Sequence, residues 1–101
     1  MKYLKKIFEN EYYQQISGND YYEEYIPFEE KYSKKLIHLG FTQSLVNLRG
    51  CSIYVNGVNA YVYQKPDEYF DVEIGMGSKR KYYRCDQFDG LLKLLKDKKI
   101  I

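Results

Sequence analysis

The sequence predicts an α+β fold: an antiparallel β-meander of four to five strands, two N-terminal helices and one C-terminal helix. Three observations predict it. Apolar residues recur at helical spacing in two stretches before residue 40 and in one after residue 86. Between these stretches the period changes to two. Asn56-Gly57 sits at the centre of an alternating run, the combination that marks a tight hairpin.

The first helix is expected over residues 2–16. Leu4, Phe8, Tyr12 and Ile16 recur every four residues and form one apolar stripe. Ser17-Gly18-Asn19 ends it. Asp20 and Glu23 have the spacing to cap a short turn through Tyr25. Pro27 suits the first position of a second helix, because its missing N–H is not needed there. Phe28, Tyr32, Leu36 and Leu39 are its expected buried stripe. Gly40 suits the left-handed position after it, with Phe41 packing back on the last turn.

A weaker strand is expected over residues 43–48. A type I′ turn at Asn56-Gly57 pairs Val55 with Val58, Ile53 with Ala60 and Cys51 with Val62. Those six share one face, the expected core; Tyr54, Asn59, Tyr61 and Tyr63 share the other. A type II′ turn at Gly77-Ser78 sets Ile74 opposite Lys81, Val72 opposite Tyr83 and Phe70 opposite Cys85. On the second face it sets Asp71 opposite Arg84, a favourable cross-strand charge pair. Asp86 is the expected N-cap of the last helix, whose core stripe is Phe88, Leu91, Leu92 and Leu95. Gly90 weakens that helix locally.

With 101 residues, 45% apolar and 18% aromatic, the chain reads as a single α+β domain over residues 1–101. Its core must draw on few aliphatic residues and on thirteen tyrosines, with no Trp. No apolar run reaches the length of a secretory signal or of a membrane span of roughly 20 residues. Cys51 and Cys85 are too few for a disulfide framework and read as reduced thiols of a cytoplasmic protein, a single bridge being the alternative.

Catalytic chemistry finds little support. The one histidine, His38, lies in a Lys-rich helix, and both cysteines point into the expected core. Two distant Cys and one His do not make a zinc site, and adjacent acids such as Glu23-Glu24 point apart on a helix. Gly75-Met76-Gly77-Ser78-Lys79 lies inside a hairpin and opens no helix, so it is a turn and not a phosphate loop. No enzyme activity and no cofactor or metal is expected.

Charge is strongly segregated behind a net value of +2. Residues 8–30 hold seven carboxylates, five tyrosines and no Lys or Arg, whereas residues 31–66 sum to +5 without an acid. An acidic, tyrosine-rich surface suits a larger basic partner, since Tyr gives contact area at low entropic cost and carboxylates seek cations. The expected partner-binding residues are Glu9, Glu11, Tyr13, Asp20, Tyr21, Tyr22, Glu23, Glu24, Glu29 and Glu30. Carboxylates spaced along a scaffold also resemble a phosphate backbone and can occupy a nucleic-acid groove. The alternative is single-strand nucleic-acid binding on the outer sheet face. There Tyr54, Tyr61, Tyr63 and Tyr82 would stack bases and Arg80 and Arg84 would hold phosphates. Asp71 and Glu73 on that same face oppose it.

The small size, the charge blocks and the richness in Lys, Tyr, Ile and Asn resemble the composition of small inhibitors encoded by phages and mobile elements, anti-CRISPR proteins included. The resemblance implies a non-enzymatic inhibitor of a nucleic-acid-handling host protein, such as a CRISPR or other defence nuclease.

Overall fold

A computed structural model describes residues 12–18, 25–44 and 49–101 of the chain. In chain order the elements are β1 (Tyr13–Ile16), α1 (Glu30–His38), β2 (Thr42–Gln43), β3 (Gly50–Val55), β4 (Val58–Lys65), β5 (Tyr69–Ile74), β6 (Lys81–Asp86) and α2 (Gln87–Asp97). Among the described residues these make an α+β fold with a six-stranded antiparallel sheet, ordered β1-β6-β5-β4-β3-β2, and two helices. Strands β2 to β6 form a meander. The N-terminal strand closes the row at the far edge, beside the last strand.

The element count therefore corrects the sequence expectation of two N-terminal helices and four to five strands. Tyr13–Ile16, assigned by spacing to the end of a first helix, is strand β1 and pairs Tyr13 with Cys85 and Ile16 with Tyr82. The rest of that helix, the turn at Asp20–Glu23 and residues 45–48 of the weak strand lie outside the described residues. The second helix starts at Glu30 and not at Pro27. Extended backbone precedes it because Ile26 forms a bridge with Gln64, its N–H donating to the Gln64 carbonyl at 3.0 Å.

Both hairpin registers follow the alternation of the sequence. Val55 faces Val58 and Cys51 faces Val62; Ile74 faces Lys81 and Asp71 faces Arg84. Asn56 and Gly57 both have positive φ (54° and 79°), as a type I′ turn requires. The second connection is wider than two residues. The strands stop at Ile74 and Lys81, and a 3₁₀ turn over Gly77–Lys79 links them.

Helix α1 ends as its sequence predicts. Gly40 takes φ +108° and its N–H donates to Ile37, while the Phe41 N–H donates to Leu36. This crossed pair is a Schellman motif, and Phe41 is buried against the last turn. Leu39, expected in the buried stripe, is instead 41% exposed. Asp86 occupies the N-cap of α2, but its side chain makes no capping hydrogen bond.

One face of the sheet carries the core. Cys51, Ala60, Val62, Phe70, Val72, Tyr83 and Cys85 point from the strands toward Leu36 of α1 and Leu91, Leu94 and Leu95 of α2. Leu92 is only half-buried and Leu94 takes its expected place. Four rings tie the layers: Phe70 meets Phe28, Tyr32 and Phe88 at centroid distances of 5.9, 5.2 and 5.8 Å. Full burial of a side chain such as Phe70 stabilises the fold by about 2–3 kcal/mol. Gln64 ends the core row of β4 and is buried, so its amide needs partners. Its Oε1 accepts from the Glu29 N–H at 2.8 Å and its Nε2 donates to the Glu29 carboxylate at 2.6 Å.

Candidate functional site

The pairing registers lay two rows of side chains across the outer face of the sheet, on the side away from the core. One row runs Thr42, Ser52, Tyr61, Glu73, Tyr82, Ile16. The next runs Gly50, Tyr63, Asp71, Arg84, Gln14. The two halves of this face differ in chemistry.

On the β5–β6 half, carboxylates are buried and internally bound. Asp71 is fully buried. Arg84 forks onto it, Nε donating to Oδ1 at 2.8 Å and Nη2 to Oδ2 at 3.0 Å. The Tyr25 hydroxyl donates to Asp71 Oδ2 at 3.1 Å, and the Tyr25 ring stacks on Tyr63 at 4.8 Å. Tyr25 thus lies over the row from a segment far away in sequence. Glu73 is also buried and takes Arg80 at 3.0 Å. Both arginines that the sequence assigned to phosphates therefore have carboxylate partners within the fold.

The β2–β4 half is open. Tyr54 is 65% and Tyr61 39% exposed. Beside Tyr61 lies a depression of about 190 Å³ lined by Thr42, Ser44, Ser52 and Tyr63. The Tyr63 ring lies over Gly50, where a Cβ would come within 3.0 Å of it. Aromatic faces beside hydroxyl groups suit a flat polar ligand such as a base or a sugar ring.

Of the ten expected partner-binding residues, three are described. Tyr13 sits on the core side of β1, where its hydroxyl donates to Asp97 of α2 at 2.7 Å. Its ring meets Tyr83 edge-on at 6.0 Å. Glu29 holds Gln64, as above. Glu30 is exposed and pairs with Lys34 at 3.2 Å, one helical turn on. Glu9, Glu11, Asp20, Tyr21, Tyr22, Glu23 and Glu24 lie outside the described residues.

Groups with nucleophilic potential are suppressed. Burial pushes the Cys51 thiol up to about 11, and burial with the Asp71 charge raises that of Cys85. The two cysteines are free. They stand on β3 and β6, three strand spacings or roughly 14 Å apart, so no bridge joins them. His38 is exposed beside Lys34, Lys35 and Leu39, whereas both thiols are fully buried. Among the described residues no group of three or more His, Cys, Asp or Glu is placed to hold a metal ion, and no helix is long and apolar enough to cross a membrane.

Three phenols among the described residues are held protonated, Tyr69 by burial and then by the charges of Asp86 and Asp67. The Tyr32 hydroxyl donates to Glu68 at 2.7 Å. That bond, then burial and the nearby carboxylates, push its pKa up to about 12. Tyr25 is raised further, first by burial and then by the Asp71 charge and its hydrogen bond. Below pH 10 these phenols are protonated in folded and unfolded chains alike. Above it the unfolded chain releases protons that the folded chain keeps, so stability falls as pH rises from about 10 toward 12. Denaturant midpoints taken across that interval are expected to drop, and Tyr25→Phe is expected to flatten the dependence. A constant midpoint would show that these hydroxyls are not protected.

No protein-family model, no curated protein and no solved structure matches the chain. The open tyrosine face, the bound carboxylate row and the charge segregation of the sequence are the features that any functional reading must use.

Proposed function

We propose that this protein is a non-enzymatic binding protein of the cytoplasm, an inhibitor or adaptor that docks an acidic, tyrosine-rich surface on a larger basic protein. The observation that carries the reading is the charge segregation: seven carboxylates and no Lys or Arg in residues 8–30. The acids of the sheet are engaged elsewhere, Asp71 with Arg84 and Glu73 with Arg80. Glu29 is committed to Gln64 and the Tyr13 hydroxyl to Asp97. The contacts we favour are therefore Glu9, Glu11, Asp20, Tyr21, Tyr22, Glu23, Glu24 and the exposed Glu30. The partner class we favour is a nucleic-acid-handling host enzyme, a CRISPR or other defence nuclease, whose groove a row of carboxylates enters in place of a phosphate backbone. Phage or mobile-element origin fits that role.

A second reading has its own observation. Tyr54 and Tyr61 are exposed side by side on the open half of the sheet. They offer stacking platforms for single-stranded nucleic acid, though Arg80 and Arg84 are bound to carboxylates.

One pair of measurements separates the two. Affinity capture from a host lysate is expected to retain a basic protein, and Glu23→Lys plus Glu24→Lys is expected to abolish that retention without lowering the melting temperature. A labelled oligonucleotide is expected to remain unbound at low salt. Retention unaffected by the double substitution would remove the acidic surface as the contact. Oligonucleotide binding lost on Tyr54→Ala plus Tyr61→Ala would install the second reading.

A further inference from the structure

We infer that the groove between α1 and α2 is a second docking site, for an acidic amphipathic helix of a partner protein. The groove lies on the helical side of the molecule, opposite the tyrosine face. It has a volume of about 390 Å³ and is lined by Leu39, Phe88 and Leu92 along its floor and by Lys34, Lys35 and His38 along its rim. Leu39 is 41% exposed. A helix stripe that places a leucine in water at its end has left part of its apolar face uncovered.

The rim identifies the occupant's charge. Residues 31–40 contain Lys31, Lys34 and Lys35 and no acid. The Lys35 ammonium lies 5.4 Å above the Phe88 ring, which holds it over the floor of the groove. Lys34 keeps one exposed carboxylate neighbour, Glu30 at 3.2 Å. Such an exposed pair contributes little and exchanges readily for a partner's carboxylate. The α2 wall carries both signs beyond the groove's lining, Asp89 three residues before Leu92 and Lys96 four after it, so the α1 rim sets the charge of the site. An apolar floor beside the cationic α1 rim is complementary to a segment with apolar anchors flanked on that side by Asp and Glu.

The shape identifies the occupant's form. Two helix walls with an open top accept a third helix, whose i, i+3, i+4 and i+7 anchors follow the floor. A small amphiphile requires a more enclosed cavity to bury most of its surface. This site is cationic, whereas the N-terminal stretch proposed above is acidic, so the two sites call for partners of opposite charge and fail independently.

The test uses the full chain and fluorescence anisotropy. The probe is a labelled synthetic helical peptide of about 18 residues with Leu and Phe at the anchor positions and Glu elsewhere. A control peptide carries Lys in place of every Glu. The acidic peptide is expected to bind and the basic one is not. Leu39→Glu is expected to weaken binding by at least about tenfold, since it places a like charge in the floor. Lys34→Gln plus Lys35→Gln is expected to weaken it by about fivefold. Lys34, Lys35 and Leu39 are all exposed, and matching melting curves confirm that the variants fold. Binding of both peptides alike, of neither, or equally by wild type and variants overturns the inference. So does binding of dodecanoate without binding of the peptide. A dimer of the wild-type chain that Leu39→Glu dissociates would assign the groove to a second copy and overturn it equally.

Discussion

Arg84→Ala is expected to lower the free energy of unfolding by about 3–4 kcal/mol. Asp71 is fully buried, and the Arg84 guanidinium supplies the bonds at 2.8 and 3.0 Å that compensate its lost hydration. Removing the cation leaves a buried carboxylate with the Tyr25 hydroxyl at 3.1 Å and no facing positive charge at that fork. Arg80→Ala is the internal comparison. It also removes the partner of a buried acid, Glu73, but the Arg80 side chain is 48% exposed and that of Arg84 20%. Water therefore replaces Arg80 more readily, and its loss is expected to cost about 1 kcal/mol.

Two further variants separate charge from geometry. Arg84→Lys keeps the cation and loses the fork, and is expected to fall between wild type and alanine. Asp71→Leu with Arg84→Leu removes both charges and is expected to regain most of the loss. The remainder, about 1 kcal/mol, is the lost hydrogen bond from the Tyr25 hydroxyl to Asp71. Urea unfolding followed by circular dichroism measures all four. A loss below about 1 kcal/mol for Arg84→Ala would show that solvent reaches Asp71 and that Tyr25 does not seal it.

The pairing of Asp71 with Arg84 was legible in the sequence because register follows from local signals. Positive φ at Asn56 and Gly57 matches the turn that the dipeptide prefers, and a period of two leaves no freedom to slip. The burial of Asp71 was not legible. It comes from Tyr25, which reaches across 46 positions of sequence. Strand β1 was missed for a related reason. Tyr12 and Ile16 are four residues apart, and that spacing reads as one helical face. Yet Tyr13–Ile16 pairs with β6, whose free edge no local pattern reveals. Tyr13-Gln14-Gln15-Ile16 puts one apolar residue and one Gln on each face of the strand, so no period of two marks it in the sequence. The helices were legible at their ends: Gly40 and Phe41 form the expected Schellman motif. Leu39 was misassigned because the stripe continues in sequence past the point where the sheet stops covering it. The charge block of residues 8–30 was visible, but the internal duties of Glu29 and Tyr13 were not. Their partners, Gln64 and Asp97, lie 35 and 84 positions away.

Gly90→Ala is expected to destabilise the protein by about 2–3 kcal/mol, opposite in sign to the effect of that change in an open helix. In a solvated helix the methyl group restricts the unfolded chain and gains about 1 kcal/mol. Gly90 is in the second turn of α2 and is buried. A Cβ there would overlap the carbonyl oxygen of Tyr12 and lie 3.3 Å from the Tyr12 Cβ. That carbonyl already accepts the Asp86 N–H at 3.0 Å, the bond that continues the β1–β6 pairing. Neither side yields easily. Moving α2 outward opens the contacts of Leu91 and Leu94, both fully buried, and moving Tyr12 breaks the bond to Asp86. The melting temperature is expected to fall by roughly 10 °C, given about 4–8 °C per kcal/mol for a domain of this size. Lys93→Ala, on the exposed side of the same helix, is the control and is expected to change stability by less than about 0.5 kcal/mol. If Gly90→Ala instead raised the melting temperature, the close approach of α2 to β1 would be wrong, and with it the placement of Tyr13–Ile16 as the sixth strand.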